Sequence, residues 1–152
     1  MPADFLPGGS PRLSELFLIV HAVEGIPPGA YRFDRARGAL LLLKRGDFRR
    51  EAGRLGLDQP LAAEAAVNVY FLSRLEEVLG ALEDRGYRAA ELEAGVMGGR
   101  LYLAAYAQGL AATGLTFYDD EVVEFFGPAA EGREVMFLVL LGHRRRGRAF
   151  LA

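Results

Sequence analysis

The segment from Ala89 to Gln108 is the longest helical pattern in the chain, and three glycines lie inside it: Gly95, Gly98 and Gly99. Each glycine in a helix interior costs about 1 kcal/mol relative to alanine. Some contact must offset this cost, and glycines four residues apart share a helix face that a second backbone can approach closely. The pattern therefore predicts a tightly packed central or dimer-interface helix, with direct contact to a flat ligand as the alternative.

Apolar runs of strand length occur on both sides of this helix. They occupy residues 15–23, 30–33, 39–44, 65–72, 115–118 and 134–141, and such runs are typical of buried sheet positions. Residues 34–38 join the second and third runs, which predicts a hairpin. Just before the hairpin, Pro28 and Gly29 predict a type II turn in which the glycine adopts a positive φ.

Three further helices have start and stop signals. Each has a capping residue at its start and a glycine at its end. The resulting order, βββ-α-β-α-α-β-α-β, predicts an α+β domain with a mixed, mainly antiparallel sheet flanked by helices. The signal pairs are Asp47 with Gly56, the Ser73–Glu76 capping box with Gly86, and Asp119 or Asp120 with Gly127–Pro128.

The composition bounds the class of protein. A chain of 152 residues fits one domain, residues 1–152, with 1–13 as a loop or arm and 143–152 as a basic tail. The absence of cysteine excludes disulfides, thiolate nucleophiles and cysteine-bound metals, and no metal site is predicted. A net charge of −2 gives no general attraction to nucleic acid or anionic membranes.

The same composition bears on where the protein works. No apolar run approaches the ~20 residues of a membrane span, and residues 1–10 lack the pattern of a signal peptide. A cytoplasmic protein without a membrane or nucleic-acid partner is therefore expected. Lys44 is the only lysine among many arginines, and with few amides this composition resembles that of a thermophile.

The sequence lacks the common catalytic signatures: there is no Gly-x-x-x-x-Gly-Lys loop, no Gly-x-Ser-x-Gly and no His-Glu-x-x-His. His21 lies in an apolar run and is expected to be a hydrogen-bonded core or interface residue rather than a general base. Asp119 and Asp120 are expected to cap a helix rather than to act as an acid–base pair. Residues 144–148 are arginine-rich and are expected to form a solvated terminus. The alternative is that they bind the phosphate of a small cofactor.

Several segments, in order along residues 14–143, carry a resemblance to a known family. They resemble the nitroreductase superfamily, specifically its SagB-type (ThcOx-like) branch of FMN-dependent dehydrogenases and oxidases, whose V-E-G-L-P-P-G-x-Y-x-Y-D is similar to the first segment. The segments are EGIPPGAYRFD at 24–34, EAG at 93–95 with LYLAA at 101–105, GL at 109–110, GLTFYDDEV at 114–122 and MFLVLLG at 136–142.

The resemblance implies a nitroreductase-like fold, a homodimer with FMN at its subunit interface, and hydride or electron transfer from NADH, NADPH or another small-molecule donor to an acceptor. The cofactor carries out the redox step while the protein holds and tunes it, so the catalytic residues remain unknown. The implied cofactor-binding residues are Gly9, Ser10 and Arg12 along the flavin edge, the backbone of Leu115 and Thr116 at the reactive side of the ring, and Arg144 or Arg146 at the phosphate.

The chain departs from the family pattern at three places. Nothing in Met1–Asp4 corresponds to the opening helices whose Arg-Ser-x-Arg motif grips the FMN phosphate, so an N-terminally shortened member is expected. The P-S-x-G-x-R/N loop corresponds loosely to Pro7–Arg12, and the helix motif H-x-x-Q-N is replaced by Val96, Gly99 and Arg100. A dianionic phosphate needs several hydrogen-bond donors, and the family's N-terminal arginines, which supply some of them, have no counterpart in Met1–Asp4. The second functional hypothesis is therefore a flavin-free relative that acts as a structural or binding partner of a full-length oxidoreductase.

Overall fold

The computed structural model describes residues 13–143, which form a six-stranded sheet with helices on both faces. The strands lie side by side in the order β3-β2-β1-β4-β6-β5, and each neighbouring pair is antiparallel. This confirms the α+β class. The predicted arm (1–13) and basic tail (143–152) lie outside the described residues except for Leu13 and His143. The strands are β1 (Ser14–Val20), β2 (Gly29–Asp34), β3 (Ala39–Arg45), β4 (Val67–Ser73), β5 (Ala111–Leu115) and β6 (Glu134–Gly142).

Five α-helices connect the strands: α1 (Arg49–Leu55), α2 (Pro60–Glu64), α3 (Leu75–Leu82), α4 (Gly86–Ala107) and α5 (Asp119–Phe126). The sequence pattern predicts four of them. It misses α2, which has five residues and is too short to show an apolar period. Within residues 13–143, neither α4 nor any other helix combines the length and the apolar character needed to cross a bilayer.

The central strands are buried on both faces and divide the interior into two cores. Successive side chains of a strand point to opposite faces of the sheet. Phe17, Tyr70 and Leu138 therefore pack with α1, α2 and α5 on one face, and all three are fully buried. Phe71 and Val139 pack with α4 on the other face.

The ring of Phe137, on β6, occupies space that two glycines leave free. An added Cβ would lie 2.5 Å from this ring at Gly98 of α4 and 3.0 Å from it at Gly114 of β5. The ring also packs against Phe71, with 5.9 Å between centroids. At Gly98 the close neighbour is therefore an aromatic side chain of the sheet. Gly95 and Gly99, the pair four residues apart, meet no atom outside their own helix within residues 13–143, so close approach of a second backbone to this pair stays a prediction.

The predicted hairpin is confirmed in its strands and its turn. The side chain of Asp34 accepts hydrogen bonds from the backbone N–H groups of Ala36 and Arg37, at 2.9 and 3.1 Å. The positive φ assigned to Gly29 is wrong, since this residue lies within β2. Glycine is needed there because an added Cβ would lie 2.6 Å from the carbonyl oxygen of Lys44.

The predicted capping box is absent. Ser73 is the last residue of β4, its hydroxyl has no hydrogen-bond partner among residues 13–143, and α3 begins at Leu75 without a side-chain cap. Gly86 begins α4 instead of ending α3. An added Cβ at Gly86 would lie 2.9 Å from the carbonyl oxygen of Val78, so glycine allows α3 and α4 to pack closely.

The strand predicted at residues 115–118 lies four residues earlier, at β5. The sequence Ala-Ala-Thr-Gly-Leu has weak β propensity, and pairing with residues 138–142 of β6 overrides it. Residues 116–118 instead connect the edge of the sheet to α5.

We expect Gly98→Ala to lower the free energy of unfolding by about 1–3 kcal/mol, because the new methyl group would overlap the Phe137 ring in a packed core. Gly95→Ala is the matched control in the same helix. Outside its own helix, no atom within residues 13–143 lies within 4 Å of its Cβ position, so it should raise stability by up to about 1 kcal/mol. Chemical denaturation compares the two variants, and equal effects would contradict the packing role of Gly98.

Candidate functional site

An open cleft lies at the C-terminal end of β5. We call it the β5 cleft; it has a volume of about 620 Å³ and is lined by Gln59, Tyr102, residues 113–117 and Phe137. Tyr102 from α4 and Phe137 from β6 supply aromatic surface. The Gln59 amide nitrogen lies 3.5 Å from the Thr116 hydroxyl, the one polar side-chain contact across the cleft among the described residues.

Hydrogen bonds to β6 and to α1 fix the backbone beside the cleft. β5 pairs with β6 on one side, and the N–H of Tyr118 donates to the carbonyl oxygen of Leu55 in α1, at 3.0 Å. On its outer side β5 has no neighbouring strand within residues 13–143. Edge strands present unpaired N–H and C=O groups, so this backbone is available to a ligand.

The structure places two of the sequence-predicted site residues in this cleft: Leu115, the last residue of β5, and Thr116 after it. The other candidates, Gly9, Ser10, Arg12, Arg144 and Arg146, lie outside the described residues. Sequence reasoning missed Gln59, Tyr102 and Phe137 as lining residues. They come from three separate parts of the chain, the start of α2, α4 and β6, which only the tertiary fold brings together.

A second opening lies at the N-terminal end of β5, on the face covered by α1 and α2. We call it the Arg49 cavity; it has a volume of about 660 Å³ and shares Thr113 with the β5 cleft. Its wall is mainly apolar, and its polar side chains are those of Arg49, Glu64, Thr113 and His143. The full lining is Arg49, Leu61, Glu64, Ala65, Ala111, Ala112, Thr113, Leu140, Leu141, Gly142 and His143.

His21 is buried behind this cavity, with 7% of its surface exposed. The predicted core location is confirmed, whereas neither ring nitrogen has a hydrogen-bond partner among residues 13–143, so the predicted hydrogen bond stays a prediction. Burial, followed by the positive charge of Arg49, lowers the pKa of His21 to about 4, and Asp47 opposes the shift. The imidazole is therefore neutral near pH 7.

The predicted aspartate cap is wrong. The N-cap residue of α5 is Tyr118, Asp119 and Asp120 occupy the first turn, and neither side chain makes a capping hydrogen bond. Burial, and then the charge of Asp120, raise the pKa of Asp119. Two carboxylates at a helix N-terminus interact favourably with the helix dipole. No cluster of histidine, aspartate and glutamate within residues 13–143 could hold a metal ion.

An antiparallel six-stranded sheet, with one long helix across one face and an open cleft at its edge strand, places the chain in the α+β class. A model of the nitroreductase family matches residues 12–143, and the chain belongs to this family. A protein of Methanocaldococcus jannaschii that is provisionally named as a nitroreductase is 26% identical over 111 residues, which cover 72% of this chain and 56% of that protein.

Solved structures share the fold. A protein from Anabaena variabilis, also provisionally described as a nitroreductase, superposes with a TM-score of 0.83 at 34% identity, over 88% of this chain and 27% of that one. In the Escherichia coli microcin synthetase McbBCD complex, the matching chain has a TM-score of 0.73 at 20% identity, over 88% of this chain and 52% of its own length. The NADPH:FMN oxidoreductase of Vibrio harveyi superposes with a TM-score of 0.53 at 21% identity, over 64% of this chain and 46% of that one. The chain thus spans about half or less of these proteins.

The neutral, buried His21 predicts a pH dependence of stability. Its pKa is about 4 in the folded protein and ordinarily 6.5, so the unfolded chain takes up a proton first as the pH falls. Stability should be unaffected above about pH 6.5 and should decrease by up to about 3 kcal/mol as the pH falls to 4. His21→Gln should remove this decrease, measured as urea unfolding free energy between pH 7 and 4.

The exposed His143 provides the control. His143→Gln should keep the wild-type pH dependence, and a pH dependence that survives in His21→Gln would show that other groups cause it.

Proposed function

We propose that this protein is an FMN-dependent oxidoreductase of the SagB-type branch and that the β5 cleft holds the flavin ring. The observation that carries the proposal is the position of Leu115 and Thr116, which the resemblance assigns to the reactive side of the ring. Both line a ligand-sized cleft beside an open strand edge. The named FMN oxidoreductase among the similar folds supports the cofactor assignment.

The residues of the cleft fit a flavin ring. An isoalloxazine is flat and apolar on its faces, and carbonyl and N–H groups lie along one edge. Tyr102 and Phe137 offer apolar surface to the faces, while Gln59, Thr116 and the outer backbone of β5 offer donors and acceptors to the polar edge. When bound, the flavin supplies the transfer of the electron pair; the chain's residues bind it, orient it and exclude water.

We further propose that the protein is a homodimer and that α4 forms its interface. Exposed residues recur along α4 at intervals of four and three: Leu92, Val96, Gly99, Leu103 and Tyr106. This is the spacing of a helix–helix seam, and no other part of residues 13–143 covers it. The side chain of Leu103 is 71% exposed, which is typical of an apolar surface that contacts another molecule.

The seam is connected to the cleft through two aromatic rings. Tyr106 of the seam packs edge-on against Tyr102 of the β5 cleft, with 6.0 Å between centroids. A second copy on α4 would therefore lie directly beside the cleft and close it to solvent. This arrangement supports a flavin at the subunit interface.

The cofactor assignment is tested by the visible absorption spectrum of the purified protein, before and after addition of FMN. We expect a bound-flavin band that NADH or NADPH bleaches. Thr116→Trp should weaken FMN binding by filling the cleft, whereas Ala81→Trp, on the exposed surface of α3, should not. If wild-type protein binds no flavin with FMN in excess, the function becomes that of a flavin-free structural or binding partner, for example within a complex with a full-length oxidoreductase.

The dimer assignment is tested by light scattering after size-exclusion chromatography. Leu103→Glu should convert the dimer to a folded monomer, because it places a charge in the apolar seam. Gly99→Leu should do the same by steric overlap with the partner helix, since no atom of residues 13–143 lies near its Cβ position. Leu42→Glu, at another exposed leucine, on β3, is the control, and dimers in all three variants would exclude α4 as the interface.

A further inference from the structure

The turn between α1 and α2 contains two consecutive residues in the left-handed region of backbone conformation. Leu57 has a φ of 57° and Asp58 a φ of 55°. Aspartate adopts this region more often than most residues, whereas a bulky residue such as leucine is strained there. Strain of this kind persists only where the surrounding structure imposes the conformation, and it is concentrated at functional sites. Leu57 therefore marks the turn as a candidate for a functional role.

The close packing of the two helices imposes the conformation of this turn. An added Cβ at Gly56 would lie 2.8 Å from the Cβ of Ala62, so glycine lets the end of α1 lie directly against α2. Within the turn, the N–H of Asp58 donates to the carbonyl oxygen of Arg54 at 3.2 Å. The N–H of Gln59 donates to the carbonyl oxygen of Gly56 at 3.3 Å. Residues 56–59 thus reverse the chain in a single tight connection.

The turn ends at Gln59, which is the one lining residue of the β5 cleft from the α1–α2 side of the sheet within residues 13–143. Two side-chain contacts join the turn to the segment after β5. The Gln59 amide nitrogen lies 3.5 Å from the Thr116 hydroxyl, and the Tyr118 hydroxyl donates to the Asp58 carboxylate at 3.3 Å. Both contacts are long and exposed, so they are weak. The backbone of the turn therefore determines where the Gln59 amide lies.

The side chain of Leu57 does not explain why a leucine occupies this position. It is 36% exposed and belongs to neither core. Glycine would adopt the same φ without strain, but it would also give the turn access to many other conformations. A residue with a Cβ restricts the turn to the conformation that the packed helices impose. The effect of Leu57 is thus to limit the positions that Gln59 can take.

We propose that the strained turn at Leu57 and Asp58 positions Gln59 for ligand binding in the β5 cleft, so that Leu57 is a positioning residue of the site. The Gln59 amide is thereby held, before the ligand arrives, where it meets the polar edge of the bound ring. The effect on flavin binding rests on the proposed function, whereas the placement of Gln59 against Thr116 does not. The competing interpretation is that the strain only serves the tight connection of two helices.

The experiment compares Leu57→Gly with Leu57→Asn. Glycine frees the turn, whereas asparagine tolerates the left-handed conformation and keeps the backbone restricted. Dissociation constants for FMN are measured by quenching of flavin fluorescence. We expect Leu57→Gly to weaken FMN binding by about fivefold, the effect of one misplaced hydrogen bond, and Leu57→Asn to bind like wild type.

Glu83→Gly is the matched control. Glu83 also has a positive φ, of 52°, and it is exposed at the end of α3, outside the lining of the β5 cleft. Its replacement removes the same kind of strain and should leave FMN affinity unchanged. An equal loss of affinity in Glu83→Gly and Leu57→Gly would overturn the proposal.

A double variant tests whether Leu57 acts through Gln59. Gln59→Ala removes the amide and should itself weaken FMN binding. If the turn acts by placing this amide, adding Leu57→Gly to Gln59→Ala causes no further loss, because the two changes remove the same interaction. Losses that add in the double variant, or an unchanged FMN affinity in Leu57→Gly, would overturn the proposal in favour of a structural role.

Amide NMR spectra of the ligand-free protein separate this proposal from the proposed function. Leu57→Gly and Gln59→Ala should shift the backbone amide signal of Thr116 in the same direction, while Leu57→Asn and Glu83→Gly leave it in place. If wild-type protein binds no FMN, the flavin assignment fails and these spectra alone decide on the placement of Gln59. A Thr116 signal that Leu57→Gly does not move overturns the proposal, whether or not flavin binds.

Discussion

The insertion of the Phe137 ring between Gly98 and Gly114 fixes the relation between the long helix and the edge of the sheet. Both glycines are needed because an added Cβ would overlap the ring on either side. The ring thereby sets how close α4 lies to β6 and how β5 passes beside it. The position of the β5 cleft follows, since Phe137 and Tyr102 form its aromatic surface. The free-energy cost of Gly98 within α4 is thus offset by packing that also shapes the candidate site.

Local signals in the sequence predict those elements whose boundaries depend on neighbouring residues. The β2–β3 hairpin forms with the predicted turn, in which the Asp34 side chain accepts two backbone hydrogen bonds. Gly127 ends α5 with a positive φ of 62°. Local signals fail where long-range pairing decides. Ser73 has the sequence context of a helix cap but belongs to β4, where its register partner is Ser14 of β1. β5 has little intrinsic propensity to form a strand, and β6 specifies it.

The candidate site shows the same difference between local sequence signals and long-range contacts. Leu115 and Thr116 were predicted through a resemblance that rests on a contiguous motif, and the structure places them in a cleft. Arg49 carries no such signal, because its hydrogen bonds to the end of α2 and its place beside β5 arise only when α1 and α2 pack on the sheet. A sequence pattern records which residues a motif contains, whereas a cavity wall is drawn from elements that are distant in sequence.

The position of Phe137 also has a thermodynamic consequence. One surface of this ring faces the β5 cleft, and another supports α4 beneath Gly98, on the side of the helix opposite the exposed seam. A ligand that immobilises the ring also restricts the helix, and a partner that immobilises the helix also restricts the ring. Coupling of this kind is reciprocal. In the proposed dimer, ligand affinity would therefore depend on protein concentration, and dilution below the dissociation constant of the subunits would weaken ligand binding.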